Sequence, residues 1–175
     1  MAKEEKQSIE NALASINKTQ GVGSAYIIED FKPVVIERLK TGSIALYELT
    51  GGGYPEGRII ELDGWESSRK TTISLLAVAE AQKKYPNKRA VYIDGEHALD
   101  LRYAKILGVD TDKMILSQPD CMENGYQTIE TLVKTGQVSI VIFDSVAGTI
   151  TAKELEADIG ETTAMGVKAK LMSQA

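Results

Sequence analysis

The stretch Gly64-Trp65-Glu66-Ser67-Ser68-Arg69-Lys70-Thr71 decides how the rest of the chain is read. It nearly fits G-x-x-x-x-G-K-[ST], a strand-to-helix turn whose successive backbone amides line a concave nest. The helix N-terminus adds partial positive charge at the same place. In such a turn Lys70 reaches the β- and γ-phosphates of a nucleotide, and the Thr71 hydroxyl helps hold Mg²⁺. Arg69 departs from the pattern, standing where the second glycine belongs. Glycine there permits a backbone conformation and a close approach that a side chain obstructs. Either Arg69 points outward and the nest survives, or the loop is distorted and nucleotide binding weakens. The plainer alternative is a glycine-poor turn with no ligand, and two further elements weigh against it.

The first is the apolar run Val138-Ser139-Ile140-Val141-Ile142-Phe143, which ends in Asp144-Ser145. A hydrophobic strand closed by an acid is the Walker-B arrangement, and Asp144 can accept a water of the Mg²⁺ shell. The second is Asp94-Gly95-Glu96-His97, at the end of the run Ala90–Ile93. Glu96 is a candidate general base for an attacking water, although a carboxylate at a strand end also serves as a helix cap. His97 reads as a structural neighbour and Cys121 as a bystander.

Outward from these motifs, strands alternate with helices. The patterns predict a strand at Arg58–Leu62, a helix from Lys70 to Lys84 closed by Pro86, and a strand at Arg89–Ile93. A helix at Leu99–Leu107 ends at Gly108, a short strand covers Met114–Leu116, and a helix covers Met122–Lys134. The strand Val138–Phe143 follows. Upstream, Ser43 is placed to cap a short helix through Leu49, with Gly51-Gly52-Gly53 behind it. Ala25–Ile28 and Pro33–Ile36 read as short strands. Residues 3–19 form a polar helix with a narrow stripe of Ile9, Leu13 and Ile16, suited to docking on the main domain or on a neighbouring molecule. Alternation of this kind implies right-handed βαβ crossovers: an α/β fold with a mainly parallel β-sheet flanked by helices. Ligands in such sheets bind outside the carboxyl ends of the strands, where every polar cluster named above falls.

Composition narrows the function classes. The 175 residues are 43% hydrophobic and 26% charged, the balance of a globular domain. No apolar run approaches the ~20 residues that span a bilayer, so no membrane partner is expected. One cysteine excludes a disulfide framework, one histidine argues against a His-rich metal centre, and a reducing cytoplasm fits both. With 20 basic and 25 acidic residues the net charge is −5, so bulk charge does not draw this chain to nucleic acid. DNA binding would need a local surface, or one assembled from repeated copies.

Taken in order, these segments resemble the bacterial RecA recombinase family. The resemblance extends through Pro55-Glu56-Gly57-Arg58, Glu66-Ser67-Ser68, Lys70-Thr71-Thr72, Glu96-His97-Ala98-Leu99-Asp100, Leu107-Gly108-Val109-Asp110, Ser117-Gln118-Pro119-Asp120, Asp144-Ser145-Val146-Ala147 and Met172-Ser173-Gln174-Ala175. It covers residues 41–175 strongly. It implies a P-loop ATPase core preceded by an N-terminal oligomerisation arm and linker over residues 1–40, with residues 41–175 forming the first part of that core. The family's second DNA-binding loop, γ-phosphate-sensing glutamine, remaining strands and C-terminal domain have no counterpart in these 175 residues, so the core is expected to be incomplete.

The resemblance further implies an ATP- and Mg²⁺-dependent homo-oligomeric filament on single-stranded DNA that pairs it with homologous duplex DNA. Residue by residue, Glu66, Ser67, Ser68, Arg69, Lys70, Thr71 and Thr72 form the phosphate loop, with Lys70 and Glu96 catalytic. Thr71 and Asp144 serve the metal. Asp100 and Tyr103 match positions against adenine, and Ser145 a polar position near the γ-phosphate. Residues 156–166 resemble the first DNA-binding loop, and Met165, Gly166, Lys170 and Ser173 fall nearest the DNA backbone, although residues 151–175 hold three lysines against four acids. Two alternatives stay open: an impaired relative that joins or modulates recombinase filaments, and a RecA-like ATPase serving another assembly.

Overall fold

The computed structural model describes residues 2–30, 35–156 and 167–173. The chain divides into two compact units, residues 1–36 and residues 37–175.

The first unit is built on helix α1 (Ala2–Gln20). Of its apolar stripe, Ile9 is exposed while Leu13 and Ile16 are half-buried. Beyond the helix the Asn17 side chain takes both backbone groups of Ala25, donating to its carbonyl at 2.8 Å and accepting from its amide at 3.1 Å. That pairing corrects the expected strand at Ala25–Ile28. A strand needs its main-chain groups free for a ladder, and here a side-chain amide occupies them. Ile28–Asp30 is instead a turn of 3₁₀ helix. Of the expected strand Pro33–Ile36, residues 33 and 34 lie outside the described residues, and Val35 and Ile36 are irregular.

The second unit centres on three parallel strands: β3 (Arg89–Asp94), β4 (Met114–Ser117) and β5 (Val138–Asp144), in the order β4-β3-β5. An upstream hairpin pairs β1 (Arg38–Leu39) with β2 (Tyr54–Pro55), antiparallel. Between them lies α2 (Ile44–Leu49), capped by Ser43, whose hydroxyl accepts from the Leu46 amide at 3.5 Å. Helices α3 (Lys70–Lys84), α4 (Leu101–Ile106) and α5 (Met122–Val133) follow the phosphate loop, β3 and β4. The structure therefore has the expected class, with a parallel sheet flanked by helices.

Helix α3 is buried on two sides, which explains its run of small and apolar residues. Leu75, Val78 and Ala79 pack on Ala90 and Tyr92 of β3, Ala104 of α4, and Val109. Ala77 and Ala81 pack on Leu39 and Tyr54 of the hairpin. A polar clasp reinforces that second contact: Lys84 donates to Glu56 at 2.7 Å, and the Tyr85 hydroxyl donates to the other Glu56 oxygen at 2.5 Å.

The expected strand at Arg58–Leu62 is not formed. A β-strand exists through its ladder, and no described segment pairs with these residues; Ile59 is 91% exposed. Strand β5 shows the complementary deficit. Its largely apolar sequence suits a strand covered on both faces, yet every residue is only partly buried, and its second edge has no partner among the described residues. Two further short helices, α6 (Ala152–Glu156) and α7 (Val167–Met172), end the description. The first has a capping box that sequence reading missed, although T-x-x-E stands at 151–154. The Thr151 amide donates to Glu154 at 2.7 Å, and the Glu154 amide donates to the Thr151 hydroxyl at 3.2 Å. Among the described residues no helix is long and apolar enough to cross a membrane.

Candidate functional site

Strand register brings the acids together. Asp94 of β3 stands directly beside Asp144 of β5, and the Gly95 amide extends the ladder to the Asp144 carbonyl at 2.8 Å. Both carboxylates therefore emerge at the carboxyl end of the sheet, where the phosphate loop opens α3. The contact is direct: the Thr71 hydroxyl donates to Asp144 Oδ2 at 2.7 Å. Thr71, Asp94, Glu96, Ala98, Leu99 and Asp144 line one small cleft. A shallower depression between β4 and α5 shares no residue with it and has no charged lining residue.

The loop itself alternates conformations. Ser67 (φ 61°) and Arg69 (φ 71°) are left-handed, and the Ser68 amide closes a turn on the Trp65 carbonyl at 3.1 Å. Arg69 thus holds the backbone shape for which the pattern reserves glycine, at a cost of about 1 kcal/mol, and its side chain is exposed. Of the two outcomes open to Arg69, this is the outward one. Glu66, Ser67 and Ser68 are also exposed. The amides of Lys70, Thr71 and Thr72 begin α3 and have no intrahelical acceptor. Lys70 turns back over the loop, its ammonium donating to the carbonyls of Gly64 at 2.7 Å and Trp65 at 3.0 Å.

Glu96 is seated by its neighbours on the segment after β5. Ser145 Oγ donates to Glu96 Oε1 at 2.5 Å and accepts the Gly148 amide at 3.0 Å. Gly148 leaves room for this approach: a Cβ there would lie 2.8 Å from Glu96 Cγ and Oε1, and the Glu96 side chain would have to shift. Gly95 is equally confined: its Cβ would meet the Thr149 hydroxyl at 2.0 Å. Sequence reading missed both glycines, since only the fold shows which side chain passes over each.

Asp94 is 3% exposed and fully engaged. Burial pushes its carboxyl up, but donation from the Gln118 amide group and from the Leu99 and Ala98 amides wins, and the carboxyl is held below its usual range. Asp100 caps α4, Oδ1 accepting the amides of Arg102 at 2.8 Å and Tyr103 at 3.2 Å. The Tyr103 hydroxyl meets that of Thr72 at 3.1 Å, joining α4 to the start of α3. The phosphate-loop residues, Asp100, Tyr103, Glu96, Asp144 and Ser145 are in this way linked by loop, helix and strand ends. The DNA-side candidates are separate. Lys170 is exposed on α7, and Ser173 donates its hydroxyl to the Lys170 carbonyl at 2.7 Å. Met165 and Gly166 lie outside the described residues.

The donor set suits a magnesium nucleotide. Thr71 gives its only hydroxyl proton to Asp144, which leaves its lone pairs for a cation. Among the described residues no three Asp, Glu, His or Cys side chains cluster to cage a metal. Mg²⁺ is usually bound through one or two protein oxygens with phosphates and waters completing its shell, and the Thr71 and Asp144 oxygens lie together as such a pair.

Residues 7–175 match the family profile described as the RecA N-terminal domain. Protein RecA of Aquifex aeolicus is 46% identical over 173 residues, covering 98% of this chain and 49% of that protein. Protein RecA of Francisella philomiragia is 47% identical over 177 positions, covering all of this chain and 48% of its own length. That of Lactobacillus delbrueckii subsp. bulgaricus is 46% identical, with 53% of its length covered. The chain spans about half the length of these curated relatives. With the family profile matched over nearly every residue, and the phosphate loop, strand-end acids and parallel sheet joined as described above, the chain belongs to the RecA family.

Proposed function

We propose that the chain carries the magnesium–nucleotide site of a RecA-type recombinase, acting in the cytoplasm as a DNA-dependent ATPase in homologous recombination and repair. The observation that supports this most is the 2.7 Å bond from Thr71 to Asp144, which ties the phosphate loop to the acid-ended strand. In this reading ATP with Mg²⁺ supplies the transferable phosphoryl group and much of the charge that stabilises its transfer. The first-turn amides of α3 and the Lys70 ammonium bind the phosphates. Thr71 and Asp144 hold the cation's shell. Asp100 and Tyr103 flank the base, with the Tyr103 ring stacked on it. Glu96, oriented by Ser145, takes the proton of the attacking water. Residues 1–40 act as the oligomerisation arm and linker. Met165, Gly166, Lys170 and Ser173 face single-stranded DNA within a homo-oligomeric filament that pairs it with homologous duplex.

Titration of a fluorescent ATP analogue with the intact chain tests the site. Binding should require Mg²⁺ and fall at least about tenfold in Lys70→Ala, since charge-assisted bonds to phosphate are lost. Because Arg69 already holds the left-handed shape without nucleotide, Arg69→Gly should stabilise the loop by about 1 kcal/mol and leave the affinity within about twofold. No binding by the unsubstituted chain at millimolar nucleotide would defeat the proposal. It would favour a filament-modulating relative; co-sedimentation with a full-length recombinase filament then becomes the decisive measurement.

A further inference from the structure

Tyr92 is a tyrosine within an otherwise apolar stretch of β3, and nothing above gives it a task. It is 1% exposed, and its ring lies in the core with Leu75, Val78 and Ala104. Its hydroxyl crosses to the neighbouring strand and donates to Asp144 Oδ2 at 2.7 Å. A tyrosine hydroxyl keeps its proton at neutral pH, and a carboxylate oxygen can only accept, so Tyr92 is the donor of this bond. A phenylalanine would fill the same core volume. Only the hydroxyl needs explanation.

Asp144 Oδ2 accepts two hydrogen bonds, one from Thr71 and one from Tyr92. Oδ1 has no donor among the described residues. The Thr71 bond is exposed at the first turn of α3, whereas the Tyr92 bond starts from a ring in the core. We infer that Tyr92 is a positioning residue for the cation: its hydroxyl locks the Asp144 carboxylate so that Oδ2 is filled and Oδ1 is kept for a water of the Mg²⁺ shell. This rests on the magnesium–nucleotide reading and adds to it a residue outside the phosphate loop. Without the hydroxyl, the carboxylate has one fixed donor fewer and a wider range of rotamers, and Mg²⁺ must order it on binding.

The test is Tyr92→Phe in the intact chain, read by a fluorescent ATP analogue over a range of Mg²⁺ concentrations and also without metal. The expected result is a rise of about three- to tenfold in the Mg²⁺ concentration giving half-maximal binding, the scale of one ordinary hydrogen bond. Metal-free affinity should not change. Tyr54→Phe, which removes a buried tyrosine hydroxyl elsewhere, should leave the Mg²⁺ midpoint alone, and thermal melts of both variants establish that they fold. An unshifted midpoint in Tyr92→Phe, with the unsubstituted chain showing normal Mg²⁺ dependence, overturns the inference alone. Equal weakening with and without metal overturns it too, because the hydroxyl then serves the fold at large. An unsubstituted chain indifferent to Mg²⁺ overturns the underlying reading together with it.

Discussion

The carboxylate of Asp94 has its position fixed by three donors, each from a different residue of the surrounding turn and of the segment after β4. Such a group binds its proton less readily in the folded chain than in the unfolded one, because folding lowers its pKa from the ordinary 3.8. Its contribution is complete above that ordinary value and is lost as pH falls through the lowered folded value. Asp94→Asn presents an amide to donors that want an acceptor and should cost about 1–3 kcal/mol at neutral pH. The gap between the two proteins should narrow below about pH 4. Urea denaturation at pH 7 and pH 3 measures both, and a gap independent of pH would mean that folding does not shift this carboxyl. Lys70, Thr71, Glu96 and Asp144 were legible in sequence because their chemistry is tied to local context: a strand end, a helix start, a motif spacing. Tyr92, Gly95 and Gly148 were not. Their importance comes from what lies across the neighbouring strand or loop, and no local pattern encodes that partner.

Among the elements, the hairpin β1–β2 escaped sequence reading because each strand has only two residues and periodicity needs more. Strands β3, β4 and β5 were legible because each is an apolar run bounded by turn residues. Arg58–Leu62 has the same composition and is not a strand, since composition reports a capacity to pair and not the presence of a partner. The hairpin carries a defect of its own. The Tyr54 hydroxyl is buried between β2 and α3 with no hydrogen-bond partner among the described residues. An unsatisfied buried hydroxyl costs free energy that phenylalanine avoids, so Tyr54→Phe should stabilise the protein by about 1 kcal/mol. A urea midpoint that rises with an unchanged slope is the expected signature. A lower midpoint would show that the hydroxyl has a partner after all.

At the scale of the whole chain, apolar surface is left open. Ile59, Ile60 and Trp65 are exposed at 91%, 43% and 90%, and one edge of β5 is unpaired among the described residues. Exposed apolar surface and free strand edges promote association. In the first unit, Ile9 is 55% exposed on α1. If the arm docks on a neighbouring copy, removing residues 1–20 should weaken self-association about tenfold or more, since one buried aliphatic side chain contributes about 1.5–3 kcal/mol. Sedimentation velocity over a concentration series reads this directly, and an unchanged weight-average coefficient assigns assembly to the second unit alone.

The curled-back Lys70 has a consequence for how substitutions there are interpreted. Its two hydrogen bonds to the Gly64 and Trp65 carbonyls brace the turn that its charge also serves. Replacing the lysine by methionine therefore removes an internal strut along with a ligand contact. Faster hydrogen exchange at residues 64–68 before any nucleotide is added would register the first loss separately. Affinity losses measured at this lysine combine a loosened host with a missing handshake.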